Sequence, residues 1–352
     1  MSQPSAFAIA GRLVGPGHAP YVIAEMSGNH NGDIGRAFTL IDAAAEAGAD
    51  AVKLQTYTAD TITIDHHGPG FDLEDGLWAG RSLYELYQEA HTPWDWHPAL
   101  FEHARKRGIT AFSTPFDATA VDFLHGLDAP AYKIASFELV DLPLVALAAR
   151  TGRPLIMSTG MASEAEIAEA VSAARDAGAT DICLLHCVSG YPTPAGEANL
   201  ARIGKLARDH GVTVGLSDHT MGVAVPIAAV ALGACVIEKH FTLRRADGGP
   251  DCEFSLEPEE LKALVEGTRI AWEAIGSPEA KLKPSEEASL SCRRSLYVVA
   301  DIKAGETITE ANVRSIRPGY GMAPKELPRV LGKRAKGDLA RGTPLDWSMV
   351  EG

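Results

Sequence analysis

The chain has 352 residues, of which 46% are hydrophobic and 22% are charged, and this is the composition of an ordinary globular protein. The formal net charge of −14 argues against nucleic acid as a partner, and no apolar run is long enough to span a bilayer. Residues 1–17 lack a basic flank followed by an apolar core, so we expect no secretory signal.

Short apolar runs that end in polar residues alternate with helix-like stretches along most of the chain. Many of these stretches end at a glycine, which enters the left-handed region without a Cβ penalty. This alternation predicts a parallel sheet, and eight units favour a closed (β/α)8 TIM barrel. An open Rossmann-type sheet is the alternative, but the chain lacks its glycine-rich phosphate fingerprint. The predicted strands are 21–25, 51–55, 109–114, 131–136, 155–159, 182–187, 212–218 and 235–240.

The connection between the second and third predicted strands, 56–108, is unusually long. An insertion on the catalytic face usually shapes a substrate pocket, although a lid or a subunit contact is equally compatible with the sequence. We expect its aromatic side chains to pack within the fold rather than to stack on a ligand. These side chains are Tyr84, Tyr87, Trp94 and Trp96.

After Pro284 the pattern changes to short strands separated by Gly/Pro turns, beginning with a predicted strand at 295–299. Such a pattern is typical of a small β domain. We therefore predict a barrel domain of residues 1–280 and a C-terminal domain of residues 281–352.

Chemistry in a TIM barrel sits at the C-terminal ends of the strands. His219 and His240 lie at the ends of the seventh and eighth predicted strands, about 5 Å apart, so their imidazoles can share a divalent cation. Such an ion would keep coordination positions open for substrate and would act as a Lewis acid. The alternative is a pair of histidines that only form hydrogen bonds.

Lysines at the strand ends favour an anionic substrate. Lys53, Lys133 and Lys239 are predicted to form a cluster that holds a phosphate, with neighbouring hydroxyls as directed donors. One lysine could instead be a Schiff-base nucleophile. Three carboxylates could act as general base, as acceptor of a sugar hydroxyl or as partner of the lysines, and they are Glu25, Glu138 and Glu238.

The five cysteines form an odd count without zinc-finger spacing. Cys183, Cys187 and Cys235 lie in predicted buried strands, where cysteine behaves as a small hydrophobe. Cysteines that do not form disulfides are typical of a reducing compartment, so we expect the protein to lie in the cytoplasm.

Motifs in chain order resemble those of the sialic acid synthase family. They are Ile23-Ala24-Glu25, Asn29-His30-Asn31-Gly32, Val52-Lys53-Leu54-Gln55-Thr56, Ser113-Thr114-Pro115-Phe116-Asp117, Lys133-Ile134-Ala135-Ser136, Ser158-Thr159-Gly160-Met161, Tyr191-Pro192-Thr193-Pro194, Ser217-Asp218-His219-Thr220 and Glu238-Lys239-His240-Phe241-Thr242. Arg317-Pro318-Gly319 resembles the family's antifreeze-like (SAF) domain. The resemblance covers nearly the whole chain and implies a TIM barrel followed by a SAF domain of the β-clip type.

Within the family the chain is most similar to the pseudaminic acid synthases, on residues 55–61, 84–87, 91–94 and 136–138. N-acetylneuraminate synthases typically carry Gly where Phe137 stands and Asn where Ser189 stands. The implied reaction joins phosphoenolpyruvate (PEP) to 2,4-diacetamido-2,4,6-trideoxy-L-altrose and gives pseudaminic acid and phosphate.

The resemblance also implies roles for individual residues. Glu25 would stabilise the cationic intermediate or direct water, and His219 and His240 would bind Mn²⁺ or Mg²⁺. The residues implied to bind PEP are Lys53, Thr114, Lys133, Ser136, Ser158, Ser189 and Ser217. Those implied to bind the sugar are Gln55, Glu138, Tyr191, Asp251 and Arg317. Arg317 would reach from the SAF domain into the barrel of a partner subunit, in a domain-swapped homodimer.

Three alternatives stay open from the sequence alone. The same chemistry with N-acetylmannosamine or the legionaminic acid precursor would make the chain an N-acetylneuraminate or legionaminic acid synthase. A lyase or aldolase would use a Schiff-base lysine. A non-catalytic carbohydrate-binding protein could have kept the SAF domain, although it would have no need of a histidine pair for a metal.

Overall fold

The computed structural model describes residues 5–352, which form two compact units divided between Gly276 and Ser277. Within these residues no helix is both long enough and apolar enough to cross a membrane. The first unit contains the barrel, and each unit has a hydrophobic core of its own.

An antiparallel hairpin that the sequence analysis missed begins the first unit. Its strands are β1 (Phe7–Ile9) and β2 (Arg12–Val14). Phe7, Ile9 and Val14 are buried in the same cluster as Tyr21 and Phe112 from inside the barrel. Because most of the barrel residues in this cluster come from the first halves of the strands, the hairpin fills the N-terminal end of the barrel.

Eight parallel strands close into a barrel in the order β10-β3-β4-β5-β6-β7-β8-β9, which confirms the predicted TIM barrel. They are β3 (Tyr21–Glu25), β4 (Ala51–Thr56), β5 (Thr110–Pro115), β6 (Tyr132–Ile134), β7 (Leu155–Ser158), β8 (Ile182–Cys187), β9 (Thr213–Asp218) and β10 (Val236–His240). The strand predicted at 131–136 is shorter, because the Glu138 amide donates to the Ala135 carbonyl and turns the chain.

Helices follow every barrel strand and cover the outside of the barrel. They are α1 (Ile34–Glu46), α2 (Ala59–Ile62), α3 (Leu83–Ala90), α4 (His97–Arg107), α5 (Ala118–Gly126), α6 (Leu142–Arg150), α7 (Glu164–Asp176), α8 (Ala201–His210), α9 (Ala224–Ala231) and α10 (Pro258–Ile275). Gly108 and Gly211 end α4 and α8 in the left-handed conformation, with φ of 72° and 63°. At these two positions the glycine therefore ends the helix as the sequence predicts.

The long connection between β4 and β5 contains α2, α3 and α4. Two of the four aromatic side chains predicted to pack within the fold contact neighbouring aromatic rings. Trp94 stacks on Phe123 with ring centroids 4.8 Å apart, and Tyr87 meets Tyr57 edge-on at 5.7 Å.

Successive residues of each barrel strand point alternately inward and outward. In β3, Tyr21 and Ile23 join the core inside the barrel, whereas Val22 and Ala24 join the core beneath the helices. The next inward residue is Glu25, which is also buried. The barrel interior is thus apolar in its N-terminal half and polar at its C-terminal end, where the site lies.

The second unit is a small β-rich domain. Its elements are β11 (Ser295–Val298), β12 (Val313–Ile316) and α11 (Leu327–Val330). Leu296, Val313 and Leu345 are fully buried in its core. Arg317 directly follows β12 and is exposed.

Candidate active site

Parallel pairing brings the predicted polar residues to one end of the barrel interior. The register pairs Glu25 with Lys53 on one side and with His240 on the other. Glu238 lies opposite Ser217 on the neighbouring strand. Side chains that are far apart in the sequence therefore converge at the C-terminal ends of the strands.

Two buried lysines share one glutamate. Lys133 Nζ lies 2.9 Å from Glu238 Oε1, and Lys53 Nζ lies 3.7 Å from Glu238 Oε2. Lys53 Nζ also pairs with Glu25 Oε2 at 2.8 Å. None of the four side chains is more than 6% exposed. Because buried charges are tolerated only when paired, these two lysines and two glutamates form one charge-balanced cluster.

Burial and neighbouring charges divide the roles of the two glutamates. Burial opposes ionisation of Glu238, but Lys133 and Lys53 outweigh it and lower the pKa of this carboxyl. For Glu25, burial outweighs the pull of Lys53, so the pKa is raised. Glu238 is therefore the fixed counter-ion of the lysines, and Glu25 is the carboxyl group that takes up a proton more easily.

Hydroxyl groups lie around the lysines. Thr114 Oγ1 accepts from Lys53 Nζ at 3.0 Å, and Ser217 Oγ donates to Glu238 Oε1 at 3.1 Å. The buried hydroxyl of Ser158 has no hydrogen-bond partner within residues 5–352. Because a buried hydroxyl is costly when unpaired, Ser158 is suited to meet a polar ligand here.

Ser136 and Ser189 meet at Gly160, on the loop after β7. The Gly160 amide donates to Ser136 Oγ at 3.1 Å. A Cβ at position 160 would collide with the hydroxyl oxygens of both serines. Glycine is therefore required for this close approach, a constraint that the sequence analysis did not draw from the Ser158-Thr159-Gly160 motif.

Lys239 is not part of the lysine cluster, and the predicted group of three lysines is wrong. It shares a face of β10 with Ile237, which packs in the core beneath the helices. Its Nζ lies 2.6 Å from Asp218 Oδ2 and also donates to the Thr220 carbonyl. Residues next to each other in a strand face opposite ways, and the sequence analysis did not apply this rule to Lys239.

The ring centroids of His219 and His240 are 5.4 Å apart. His219 donates its Nδ1–H to the Val188 carbonyl at 2.9 Å, so Nε2 is the nitrogen left for a metal ion when the ring is neutral. Burial lowers the pKa of His219, but Cys187 and the Val188 carbonyl outweigh burial and raise it. His240 Nδ1 has no hydrogen-bond partner in the described part of the chain and lies 3.9 Å from Asp251 Oδ2. Burial, His219 and nearby lysines lower the pKa of His240 well below its ordinary value, which keeps the imidazole neutral.

This histidine pair has the chemistry to hold a divalent metal ion. Neutral imidazole is a common metal ligand, and a carbonyl on the second ring nitrogen is the contact that orients a ligating histidine. No group of three His, Cys, Asp or Glu side chains with metal-binding geometry occurs among residues 5–352. The chain could therefore supply two ligands and leave the other coordination positions to water or substrate.

A chain of hydrogen bonds links Glu25 to the neighbourhood of the histidines. Gln55 Nε2 donates to Glu25 Oε1 at 2.9 Å and to Ser27 Oγ at 3.0 Å. Ser27 in turn donates to Asp251. The structure thus links Gln55 and Asp251 through Ser27, a serine that the sequence analysis missed.

Comparison with known proteins identifies the family. Residues 40–280 match the NeuB family model, and residues 293–351 match the SAF domain model. The chain belongs to the NeuB family.

Relatives of this NeuB-family chain are similar over nearly their full length. A pseudaminic acid synthase of Helicobacter pylori is 44% identical over 333 residues, which are 94% of this chain and 98% of the relative. An N,N'-diacetyllegionaminic acid synthase of Campylobacter jejuni is 40% identical over 89% of this chain and 95% of the relative. The crystal structure of an N-acetylneuraminic acid synthetase from Leptospira borgpetersenii has a TM-score of 0.72 and 33% identity, and the match covers 82% of this chain and 95% of that one.

Aromatic residues form a wall beside the histidines of this NeuB-family site. The Tyr191 ring centroid lies 4.4 Å from that of His219, 5.1 Å from that of Phe254 and 5.7 Å from that of Trp78. Trp78 comes from the long connection after β4 and donates Nε1–H to the Pro250 carbonyl at 2.7 Å. Sequence reasoning missed Trp78 and Phe254, because both lie in loops without a regular hydrophobic period.

Glu138, on the loop after β6, is an incompletely paired carboxyl group of the NeuB-family barrel. Its Oε2 has no hydrogen-bond partner within the described residues. Burial raises the pKa of Glu138 to about 7. Near neutral pH this group can therefore both donate and accept hydrogen bonds, which suits a sugar hydroxyl or acetamido group.

Proposed function

We propose that this chain is a PEP-dependent pseudaminic acid synthase. It would join PEP to 2,4-diacetamido-2,4,6-trideoxy-L-altrose and release phosphate. One observation carries the reaction class: Lys53 and Lys133 converge on Glu238 beside the histidine pair. The choice of sugar rests on the Helicobacter pylori relative, whose name is pseudaminic acid synthase.

The lysine cluster would bind PEP. A bound trianion can take over part of the pairing that Glu25 and Glu238 give to the lysines, while the hydroxyls orient its carboxylate and phosphate. The PEP-binding residues in this proposal are Lys53, Thr114, Lys133, Ser136, Ser158, Ser189 and Ser217.

His219 and His240 would hold Mn²⁺ or Mg²⁺, which supplies Lewis-acid polarisation of the sugar aldehyde when it is bound. The Val188 carbonyl fixes the tautomer of His219 in readiness for ligation.

Glu25 would act on the cationic centre of the reaction. The PEP methylene carbon forms a bond to the aldehyde carbon as the PEP double bond breaks, which leaves a cationic centre at C2. Water adds to C2, and one of its protons goes to the former aldehyde oxygen. The C2–O bond to phosphate then breaks, phosphate leaves with the second proton, and C2 becomes the ketone of the product. Glu25 is held by Lys53 and Gln55, so its carboxylate can stabilise the developing positive charge and orient the attacking water.

The sugar would lie against the aromatic wall. Tyr191 supplies an apolar face, while Gln55, Glu138 and Asp251 supply hydrogen bonds. Arg317 would reach the sugar from the SAF domain of a partner subunit, in a domain-swapped homodimer. The cytoplasmic location predicted from the cysteines stays a prediction.

Phosphate release from PEP in the presence of Mn²⁺ tests the proposal. Three sugars are compared: the L-altrose-type diacetamido sugar, the legionaminic acid precursor and N-acetylmannosamine. We expect turnover with the first alone and loss of turnover in His240→Ala. Turnover with another sugar would overturn the substrate assignment, and binding without phosphate release would favour a carbohydrate-binding protein.

The legionaminic acid alternative is less well supported, because the Campylobacter jejuni relative of that name is 40% identical, against 44% for the Helicobacter pylori pseudaminic acid synthase. A Schiff-base enzyme has less support, since both inward lysines are engaged with carboxylates. Borohydride with pyruvate would label Lys53 or Lys133 covalently in a Schiff-base enzyme, and we expect no label.

A further inference from the structure

The ion pair of Lys239 and Asp218 takes no part in the mechanism described above. Lys239 is 1% exposed and Asp218 is 4% exposed, so both charges are removed from water. A buried ion pair contributes little net stability, since well-packed apolar residues often do as well. Because stability alone does not account for this pair, we ask what its position next to the two histidines contributes.

The pair lies where backbone pairing between β9 and β10 stops. The register runs from Val236 opposite Gly215 to Lys239 opposite Asp218. The next residue of each chain is one of the two histidines, and neither has a ladder partner in the other strand. Backbone bonds tie each histidine to another part of the barrel, since the Thr193 amide donates to the His219 carbonyl at 3.0 Å and the Leu256 amide donates to the His240 carbonyl at 2.8 Å. Between the ends of β9 and β10 themselves, a side-chain ion pair continues where the ladder stops.

The Lys239 ammonium group bonds to the residues before and after His219. Its Nζ lies 2.6 Å from the Asp218 carboxylate, which precedes His219, and it donates to the carbonyl of Thr220, which follows. The same carboxylate accepts from the Thr220 amide at 3.1 Å and from its hydroxyl at 3.0 Å. Lys239 is itself the residue before His240. One ammonium group thus connects the backbone that carries both imidazoles.

We propose that Lys239 and Asp218 are positioning residues that set the spacing and orientation of His219 and His240 for a divalent metal ion. Neither touches substrate, because both face the helices rather than the barrel interior. This inference rests on the metal site of the proposed function.

The test measures Mn²⁺ and PEP binding to the metal-free full-length protein by calorimetry. The double variant Lys239→Met/Asp218→Asn removes both charges, so that no unpaired buried charge remains. We expect it to bind Mn²⁺ at least about 10-fold more weakly, which is typical for the loss of groups that orient metal ligands. PEP binding should change less than about twofold, because the lysine cluster lies on the other side of the strands.

Two further variants control for folding. Thr220→Val keeps the ion pair and loses one bond to Asp218, so we expect about threefold weaker Mn²⁺ binding in a folded protein. Thr56→Val removes a buried bridge between Ser113 and His97 on another part of the barrel, and it should leave Mn²⁺ affinity unchanged.

The outcomes separate the two proposals. An unchanged Mn²⁺ affinity in the folded double variant or in Thr220→Val overturns the positioning role alone. Equal weakening of Mn²⁺ and PEP binding would indicate general loosening and would also overturn it. Failure of the parent protein to bind Mn²⁺ in a manner that depends on His240 would overturn the metal site itself, and the positioning role with it.

Discussion

Glu238 connects the two lysines proposed to bind the substrate anion, at 2.9 Å from Lys133 and 3.7 Å from Lys53. In the free protein it stabilises charges that burial would otherwise disfavour. A bound anion competes with Glu238 for the same ammonium groups. We therefore expect stability and anion binding to be coupled at this single residue.

We expect Glu238→Gln to lower the free energy of unfolding by about 3–5 kcal/mol, because two buried lysines lose their shared counter-ion. PEP should restore part of this loss, so the PEP-induced rise in Tm should be larger in the variant than in the parent. Thermal unfolding with and without PEP measures the effect. Glu164→Gln removes exposed ion pairs to Arg202 and Lys205 and should cost less than about 1 kcal/mol. A PEP effect of equal size in variant and parent would contradict the coupling.

Glu138 should make stability depend on pH. Burial raises its folded pKa from 4.5 to about 7, so the folded state binds the proton more tightly than the unfolded state. Its contribution is most favourable below pH 4.5 and is lost as the pH rises towards 7. The loss amounts to at most about 3 kcal/mol, because solvent reaches this side chain.

The variant Glu138→Gln removes that titration. We expect its Tm to exceed that of the parent at pH 8, and the difference should shrink or reverse near pH 4.5. Thermal melts across this range measure the effect, and a difference in Tm that does not vary with pH would show that Glu138 does not titrate as described.

At the scale of the elements, the sequence predicts the strands well because buried parallel strands are short apolar runs bounded by glycine and polar residues. It also predicts which polar side chains converge at one end of the barrel, since the strand ends mark that face. Lys239 was misplaced because position at a strand end does not determine the face. Sequence reasoning missed the hairpin β1–β2, because strands of three residues are too short to show a hydrophobic period. It also missed Ser27, which lies in a turn with a left-handed φ of 47°.

The long connection after β4 contributes to the site through Trp78. Its indole bonds to the Pro250 carbonyl and its ring meets Tyr191, so this loop is tied to the loop that carries Asp251. We expect Trp78→Ala to raise the KM for the sugar by roughly tenfold, while Trp78→Phe retains part of the ring contact. Steady-state kinetics with each substrate varied measure the change. An equal rise in the KM for PEP would show that the loop supports the whole barrel end.

At the scale of the whole molecule, the proposed swapped dimer makes a distinctive prediction for Arg317, which is exposed in the second unit. At sugar concentrations below KM, Arg317→Ala and His240→Ala should each be nearly inactive. Mixed in equal amounts and allowed to exchange subunits, they should recover about a quarter of parental activity, since half of the dimers then contain one complete site. Activity no greater than the sum of the separate variants would exclude a site shared between subunits.

The hairpin at the N-terminal end of the barrel has a consequence for the order of binding. Phe7, Ile9 and Val14 close that end, so ligands enter and leave through the opposite mouth. Glu238 precedes His240 by two residues on β10, which places the lysine cluster about 7 Å deeper than the histidines. A sugar bound at the histidines would lie between that mouth and the lysines. Initial-rate kinetics should therefore follow a compulsory sequence in which PEP enters first, and excess sugar should inhibit competitively against PEP.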